Sequence, residues 1–472
     1  MDVLPGACFG SHVIQQLDVD YLVVGAGATG MAFTDALVDH ADVRVALVDR
    51  RHSVGGHWLE AYPFVRLHQS STFYGVASTV LDGGALQQHG PEAGLPERAG
   101  QPRICAYYAD VLANRMLPSG RVEHYPGCDY LGDRTFVSRV SGRRFEVPER
   151  CRVVDARYLS PDIPAETPPR FAVGDGVRVV AVNDVVRLEE APSQYVVLGS
   201  GKTATDACVW LLGRGVDPDA ICWVRPRDPW MLNRALVVPD PAVYLGMVAD
   251  LMQAAGEAAS LPQLFLALED AGIMLRIDRS VAPTMARAPT LGTWELELLR
   301  TIGHVVRLGH VHAVRRGRID LAEGSVDVAD DAVVVNCTAD GLKVRPLLPI
   351  WQPDVITPQP VRAGFPCFGA ALSGYVEATR DDDHEKNRLC RPSSFGNTLE
   401  DWARMNVRGS RNVESFRSEP DVKAWSDRVA VNPARVRPEH PGSAALDDAL
   451  DRLATHAGPG AARLAELGGV DT

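Results

Sequence analysis

A glycine-rich turn near the start of the chain constrains the fold more than any other feature of the sequence. The apolar run Tyr21–Val24 leads into the motif GAGATG at residues 25–30, and a helix-like run follows at residues 31–38. A strand, a glycine turn and a helix in this order predict the start of a βαβ unit that binds a dinucleotide. The second strand is predicted at residues 43–48.

Each part of this motif has a separate role in such a unit. Gly25 allows the tight turn, Gly27 lets the backbone approach a pyrophosphate, and Gly30 lets the helix pack closely on the strand. Asp49 ends the second strand 19 residues after Gly30, where its carboxylate can accept from a ribose hydroxyl. The residues expected to bind this first dinucleotide are therefore Gly25, Gly27, Ala28, Thr29, Gly30 and Asp49.

Length, charge and cysteine content narrow the class of protein. A chain of 472 residues predicts two or three domains, and a formal net charge of −12 disfavours nucleic acid or an anionic membrane as the main partner. No apolar run is long enough for a membrane helix, and residues 1–16 resemble a loose extension rather than a signal peptide. Nine cysteines without a C-x-x-C pair fit reduced thiols. We therefore expect a cytoplasmic protein.

A second glycine turn occurs in the middle of the chain, after the proline-rich linker at residues 160–170. Apolar residues 195–198 precede the motif GSGKTA, and a helix-like run follows. The motif contains G-K-T, but Val196 stands where a Walker loop needs its first glycine, so ATP hydrolysis is not expected. The residues expected to bind a second dinucleotide here are Gly199, Ser200, Gly201, Lys202, Thr203 and Ala204.

The second βαβ unit differs from the first in the charge at its end. Arg225 and Arg227 follow the second strand, where the first unit carries Asp49. An arginine at this position can form a charge-assisted fork with a 2′-phosphate, which a carboxylate would repel. The sequence therefore predicts NADPH rather than NADH at the second site.

Residues shortly after Asp49 carry a resemblance to a known family. Arg50 and the motif GGHW at residues 55–58 resemble the FAD-binding end of flavin-containing monooxygenases and Baeyer–Villiger monooxygenases. The resemblance implies that Gly56, His57 and Trp58 lie against FAD together with Arg50. It also implies that a polar side chain of the following aromatic segment faces the flavin, and His68 and Gln69 are the candidates for this catalytic place. His68 is equally compatible with a structural, hydrogen-bonded histidine.

The resemblance implies a fold and a reaction. The expected fold is α/β, with two Rossmann-like dinucleotide-binding domains for FAD and NADPH, the FAD domain being discontinuous. The expected boundaries are 18–170 for the first part of the FAD domain, 171–330 for the NADPH domain, and 331–472 for the FAD-domain return and C-terminal extension. A strand within residues 331–341 is expected to lead back into the FAD domain. The implied reaction passes hydride from NADPH to flavin, and a peroxyflavin then transfers one oxygen atom of O₂ to a small organic molecule.

One departure from the family keeps alternatives open. The F-x-G-x-x-x-H-x-x-x-aromatic fingerprint of these monooxygenases is missing, because residues 177–186 contain no histidine. An NADPH-dependent flavin reductase or dehydrogenase without oxygen insertion is the main alternative, and a slow-turnover, redox-responsive FAD- and NADPH-binding protein is another. No metal is expected, since His310 and His312 lack a third nearby ligand. The substrate and the oligomeric state stay open.

Overall fold

The computed structural model describes residues 14–163, 165–393 and 395–470. The predicted N-terminal extension, residues 1–16, lies outside the described residues except for its last three. Two of those three, Gln15–Gln16, form a short strand.

The strands are numbered here in chain order. They are β1 (Gln15–Gln16), β2 (Tyr21–Val24), β3 (Val45–Asp49), β4 (Val122–Pro126), β5 (Cys128–Gly132), β6 (Thr135–Ser138), β7 (Arg144–Glu146), β8 (Arg152–Asp155), β9 (Ala172–Val173), β10 (Arg178–Ala181), β11 (Tyr195–Leu198), β12 (Ile221–Val224), β13 (Pro229–Asn233), β14 (Met274–Arg276), β15 (Met285–Leu291), β16 (Val305–Val306), β17 (Val311–Arg315), β18 (Arg318–Leu321), β19 (Gly324–Asp327), β20 (Val333–Asn336) and β21 (Val355–Ile356).

The helices follow the same convention. They are α1 (Ala28–His40), α2 (Gln101–Val111), α3 (Lys202–Gly213), α4 (Pro241–Glu257), α5 (Leu261–Asp270), α6 (Thr293–Leu299), α7 (Pro366–Thr379), α8 (Asp383–Leu389), α9 (Leu399–Arg417), α10 (Pro420–Ser426) and α11 (Ala444–Gly468). No helix in the described ranges combines the length and the apolar character that crossing a membrane requires.

Two parallel sheets organise the molecule. The first has the strand order β21-β8-β2-β3-β4, and the second has the order β10-β20-β11-β12-β16. In each sheet the strand before a glycine turn is central, and the helix after the turn leads to a neighbouring parallel strand. The predicted α/β class with two Rossmann-like units is confirmed, and the first unit is discontinuous because β21 rejoins it late in the chain.

The strand expected to return the chain to the first unit lies elsewhere. Val333–Asn336 is β20, which lies between β10 and β11 in the second sheet, and the chain re-enters the first sheet only at Val355–Ile356. The expectation was wrong because a fully buried run of three valines fits the centre of either parallel sheet equally well. The second sheet thus extends past residue 330.

The alternating segments at residues 121–154 predict an antiparallel excursion, and the part of the chain between β4 and β8 forms one. Strands β5, β6 and β7 form an antiparallel sheet, with β1 added in parallel at its edge. Strands β4 and β8, however, belong to the first parallel sheet. The excursion is therefore shorter than expected, and it emerges from the first unit between two of its own strands.

The C-terminal helices close the first unit. Helix α7 packs on α1 at Gly374, where an added Cβ would lie 2.3 Å from the carbonyl oxygen of Phe33. Helix α11 packs on α4 at Gly460, where an added Cβ would lie 2.3 Å from the carbonyl oxygen of Met252. These close approaches join the C-terminal segment to both units, because α4 follows the second glycine turn.

Candidate functional site

The first glycine turn has the backbone that its sequence predicts. Gly25 has a φ of +106°, and its N–H donates to the carbonyl oxygen of Val48 at 2.7 Å. An added Cβ on Gly30 would lie 1.8 Å from the carbonyl oxygen of Gly25, so only glycine allows α1 to start this close to the turn. Ala156, just after β8, donates its N–H to the carbonyl oxygen of Val24 at 3.0 Å, which ties the start of the turn to the neighbouring strand.

The start of α1 is open to an anion. Gly27 is its N-cap residue, and no side chain of the described residues caps the helix. Its first backbone N–H groups therefore remain available for a phosphate. Ala28 and Thr29 are half-buried in this first turn. Gly56, with a φ of +59°, lies so close that its added Cβ would be 2.8 Å from the Cα of Gly27.

Asp49, the last residue of β3, and Arg50, which follows it, have different surroundings. The carboxylate of Asp49 is buried and accepts from the N–H of Ala26 at 2.7 Å and from the N–H of Arg51 at 2.8 Å. It thus lies against the turn, as an acid that meets a ribose must. Arg50 instead pairs with Glu166 of the linker at 2.7 Å, with about half of its side chain exposed.

His57 and Trp58 lie next to the turn on a short 3-10 helix, Gly56–Glu60. Their rings are 4.9 Å apart, and Trp58 is part of the core of the first unit. Burial and the nearby Arg51 lower the pKa of His57 to about 4, so its imidazole is neutral at physiological pH. The pair forms an apolar wall beside the paired glycines.

The second glycine turn repeats this backbone design. Gly199 has a φ of +131°, and its N–H donates to the carbonyl oxygen of Val224 at 3.0 Å. Its added Cβ would lie 2.7 Å from the carbonyl oxygen of Cys337, just after β20. Gly201 is the N-cap of α3, which also has no side-chain cap among the described residues. Ala204 is fully buried, and Ser200 accepts the N–H of Arg227 at 3.5 Å.

Lys202 is turned away from the open helix start. Its buried ammonium pairs with Asp206 and lies 3.5 Å from Glu295 of α6. Thr203, the next residue of the motif, is half-buried. The structure therefore gives Lys202 carboxylate partners inside the protein, and its expected contact with a nucleotide stays a prediction.

The two arginines after β12 have different surroundings. Arg225 is 1% exposed, pairs with Asp228 at 2.7 Å, and lies over the ring of Trp223 at 4.5 Å. A fork from Arg225 to a 2′-phosphate would require this buried pair to open. Arg227 is half-buried beside Ser200 of the turn, which makes it the better placed of the two.

Arg287 of β15 is a candidate that the sequence reasoning missed. Its Nη1 lies 3.8 Å from the position that a Cβ would take on Gly201, and its Nε is buried without a partner in the described part of the chain. Burial and the neighbouring Arg227 lower the pKa of Arg287. Two cations thus lie beside an uncapped helix start, which suits a phosphorylated ligand. No local motif marks Arg287, since it is distant in the sequence from both turns.

A set of charged side chains, the buried ionic network, connects the second turn with the loop after the first. Arg98 lies 2.8 Å from Glu92, Arg234 lies 2.6 Å from Glu295, and Arg234 also pairs with Glu92. The members come from four parts of the sequence, are largely buried, and carry three positive and three negative charges. They are Glu92, Arg98, Lys202, Asp206, Arg234 and Glu295. Only Lys202 and Asp206, four residues apart on α3, could have been paired from sequence.

The network holds the backbone at the two predicted catalytic residues. Arg234 Nε donates to the carbonyl oxygen of His68 at 2.9 Å, and Thr290 donates to the same oxygen. Burial and the neighbouring cations lower the pKa of His68 to about 3, which leaves its ring neutral. Its Nδ1 is buried and has no partner within the described ranges.

Gln69 lies near β15, which belongs to a separate three-stranded sheet with the order β14-β13-β15. It is 3% exposed, and its Nε2 lies 3.9 Å from where a Cβ would stand on Gly364, which in turn approaches Ala288. Gln69 is thus brought beside β15, the strand that carries Arg287. The structure places His68 and Gln69 between the two units, and their catalytic roles stay predictions.

Comparison with known proteins supports this description at the level of sequence and fold. Residues 23–73 match the model of an NAD(P)-binding Rossmann-like domain. Uncharacterised proteins of Mycobacterium tuberculosis strain H37Rv and of Mycobacterium bovis are each 41% identical to this chain over 419 residues, covering 88% of it and 78% of their own length.

Among solved structures, a polycyclic ketone monooxygenase from Thermothelomyces thermophila matches with a TM-score of 0.50 and 13% identity, over 96% of this chain and 90% of that one. A flavin monooxygenase mutant from Stenotrophomonas maltophilia matches with a TM-score of 0.44 and 14% identity, over 76% and 97% of the two chains. The first of these matches extends over nearly the whole chain and supports a shared fold.

Proposed function

Because the chain belongs to the same family as the mycobacterial proteins and has the fold of a polycyclic ketone monooxygenase, we propose that it is a flavoprotein oxidoreductase, an FAD-dependent monooxygenase reduced by NADPH. The observation that carries this proposal is the pair of uncapped helix starts, each behind a glycine turn supported by a neighbouring strand. Two such starts in one chain suit two nucleotides, and an oxidoreductase of this kind needs two.

The first turn fits the diphosphate and ribose of FAD. The missing side chains at Gly27 and Gly56 let their backbones approach closely, since an added Cβ on Gly56 would lie 2.8 Å from the Cα of Gly27, and the start of α1 beside them has no side-chain cap among the described residues. Asp49 lies against the turn, where a carboxylate can bind a ribose hydroxyl. His57 and Trp58 follow Gly56 directly, so their two rings lie beside the turn that would hold FAD.

The second turn fits a nucleotide with an additional phosphate. Arg227 and Arg287 lie beside the start of α3 and form no ion pair within the described ranges, whereas Arg225 pairs with Asp228 at 2.7 Å. Each charge-assisted hydrogen bond contributes on the order of 1.5–3 kcal/mol, which favours NADPH over NADH by about tenfold or more.

The residues between the turns position and enclose the reaction. FAD supplies the redox chemistry, taking hydride from NADPH and activating oxygen. Arg234 and Thr290 fix the backbone at His68, and Gln69 stands between the units as a neutral hydrogen-bonding group. The charges of the buried ionic network compensate each other in this region. The proposed substrate is a small organic molecule.

An isotope experiment tests oxygen transfer. The protein reconstituted with FAD is supplied with NADPH and ¹⁸O₂ and offered separate panels of ketones, sulfides and amines. The proposal expects one ¹⁸O atom per product molecule in at least one panel, with NADPH consumption that rises in the presence of that substrate. NADPH consumption that yields only hydrogen peroxide with every panel would contradict it.

One observation favours the flavin reductase as a second candidate. The region that carries the fingerprint histidine in the resembling monooxygenases is here β10 followed by a 3-10 turn, Val182–Arg187, with Val182 and Val185 in the core. A chain without this histidine can still transfer hydride to flavin. Rapid NADPH-dependent reduction of artificial electron acceptors, without labelled product, identifies the reductase. Negligible NADPH consumption identifies a redox-responsive binding protein.

A further inference from the structure

His124 lies on β4, the edge strand of the first sheet. In the parallel pairing of β3 with β4, His124 stands opposite Leu47 and Pro126 stands opposite Asp49. Side chains two residues apart on a strand point to the same face. His124 therefore shares a face with Asp49, the residue at the carboxyl end of the neighbouring strand.

One buried ring nitrogen of His124 has no hydrogen-bond partner among the described residues. Its Nε2 is sealed from solvent and forms no hydrogen bond with any described residue. Burial lowers the pKa of the ring, against the opposing influence of Asp49, so the ring is neutral. A neutral imidazole offers one donor and one acceptor, and buried polar atoms are normally satisfied. The free nitrogen thus points to a ligand outside the polypeptide.

The order of strands indicates which part of a nucleotide comes near. The glycine turn follows β2, the acid ends β3, and His124 lies on β4, so three successive strands of the sheet carry the three features. A dinucleotide places its pyrophosphate at the turn and its ribose at the acid. Strand β4 is the next strand beyond β3, so the base attached to the ribose is expected beside β4.

We propose that His124 recognises the adenine ring of the nucleotide at the first turn through a hydrogen bond at Nε2. The inference rests on the proposed binding of FAD at this site. Adenine fits the requirement with either imidazole tautomer, because its ring nitrogens accept and its amino group donates. The contact provides selectivity for the adenine base, which the glycines at the pyrophosphate and Asp49 at the ribose do not distinguish.

The test is a comparison of ligands with and without adenine. Flavin-free protein is titrated with FAD and with FMN, which lacks the adenylate half, and ADP is titrated as a competitor of FAD. In His124→Leu, affinity for FAD and ADP falls roughly tenfold, the effect of losing one hydrogen bond, while affinity for FMN is unchanged. His124→Gln keeps a polar group near the position of Nε2 and recovers most of the loss.

A second histidine of the same unit provides the control. His40, the last residue of α1, is exposed at the helix end remote from the turn, and its ring makes an edge-to-face contact with Tyr375 at 4.8 Å. His40→Leu leaves all three affinities unchanged. Equal weakening of FAD and FMN in His124→Leu, or no weakening of FAD and ADP, overturns the inference. Wild-type protein that binds no FAD overturns the proposed function instead.

Discussion

At Gly30 of the first turn, an added Cβ would lie 1.8 Å from the carbonyl oxygen of Gly25, yet the second turn carries Ala204 at the corresponding position, fully buried and without conflict. In both turns the first glycine donates its N–H to a carbonyl oxygen of the neighbouring strand, that of Val48 in the first turn and that of Val224 in the second. The helix start of the first turn is therefore closer to its strand than that of the second. Gly56 closes the first turn further, and no equivalent glycine approaches Gly201 among the described residues.

The surroundings of the two turns differ in charge as well as in space. The first has a buried carboxylate against it, Asp49, whereas the second has Arg227 and Arg287 beside it. The comparison indicates that one backbone design serves two ligands, with the tight, acidic turn suited to a resident cofactor and the wider, basic turn to an exchanging one.

The largest effect is expected at the tight turn. Gly30→Ala forces the start of α1 away from the Gly25 carbonyl, so we expect the purified variant to retain no flavin. The ratio of flavin to protein absorbance measures this. Ala204→Gly is the matched control at the wider turn, and it should cost only about 1 kcal/mol of helix stability and keep the flavin. Equal flavin retention in both variants would show that the two turns do not differ as described.

The next effect concerns the link between the turns. Arg234→Met leaves Glu92 and Glu295 buried without their shared cation, which should lower the free energy of unfolding by about 3–5 kcal/mol. Urea unfolding measures it. Arg44→Met removes a surface pair with Asp18, both about half or more exposed, and should leave the free energy of unfolding nearly unchanged, because water screens the pair. Similar losses in the two variants would argue against a buried network that joins the units.

The pH dependence of stability gives a smaller effect at the same network. Burial alone would raise the pKa of Glu295, but the neighbouring cations, Lys202 foremost, outweigh it and lower the pKa from 4.5 to about 2. The resulting stabilisation is present above pH 4.5 and is lost as the pH falls toward 2. It amounts to about 3 kcal/mol, since one pKa unit corresponds to about 1.4 kcal/mol.

Urea midpoints measured between about pH 5 and pH 3 should therefore fall with pH in the wild type, and fall less steeply in Glu295→Gln. This variant removes the titrating group without changing the shape of the side chain. Unchanged steepness in the variant would mean that Glu295 does not carry the acid sensitivity.

The smallest effect is expected in nucleotide preference at the wider turn. Arg227→Ala should weaken NADP⁺ about tenfold and leave NAD⁺ unchanged, as titration calorimetry can measure. Arg225→Met should lower stability, because it removes one of the two arginine partners of the buried Asp228 and leaves only Arg307, but it should keep the preference for NADP⁺. If only the Arg225 variant lost the preference for NADP⁺, Arg225 and not Arg227 would be the residue that binds the 2′-phosphate.

Features whose residues lie close together in the sequence could be predicted, whereas contacts between distant segments could not. Gly25, Gly30, Asp49 and Gly199 follow fixed spacings within one βαβ unit, so their places could be predicted from sequence. The carbonyl of Cys337 under Gly199, by contrast, comes from a strand that enters the second sheet only after the chain has formed several other elements. The valines of β20 are equally suited to either sheet, so its location could not be predicted.

The candidate site between the units was predicted least well. Glu92, Arg98, Arg234 and Glu295 meet only because distant loops and helices converge, and no spacing rule connects them. Arg225 is different, since its partner Asp228 lies just three residues further along the chain. A carboxylate so close to a candidate phosphate ligand was a signal that the charge could be neutralised locally.

The most direct test of the account is an anaerobic titration of the FAD-reconstituted protein with NADPH, followed by flavin absorbance. The account predicts one FAD per chain, full bleaching by one equivalent of NADPH, and a flavin that remains bound while NADP⁺ exchanges. A protein that binds no flavin, or whose bound flavin is bleached by neither NADPH nor NADH, would contradict the claim that the two turns hold a resident cofactor and its exchanging reductant.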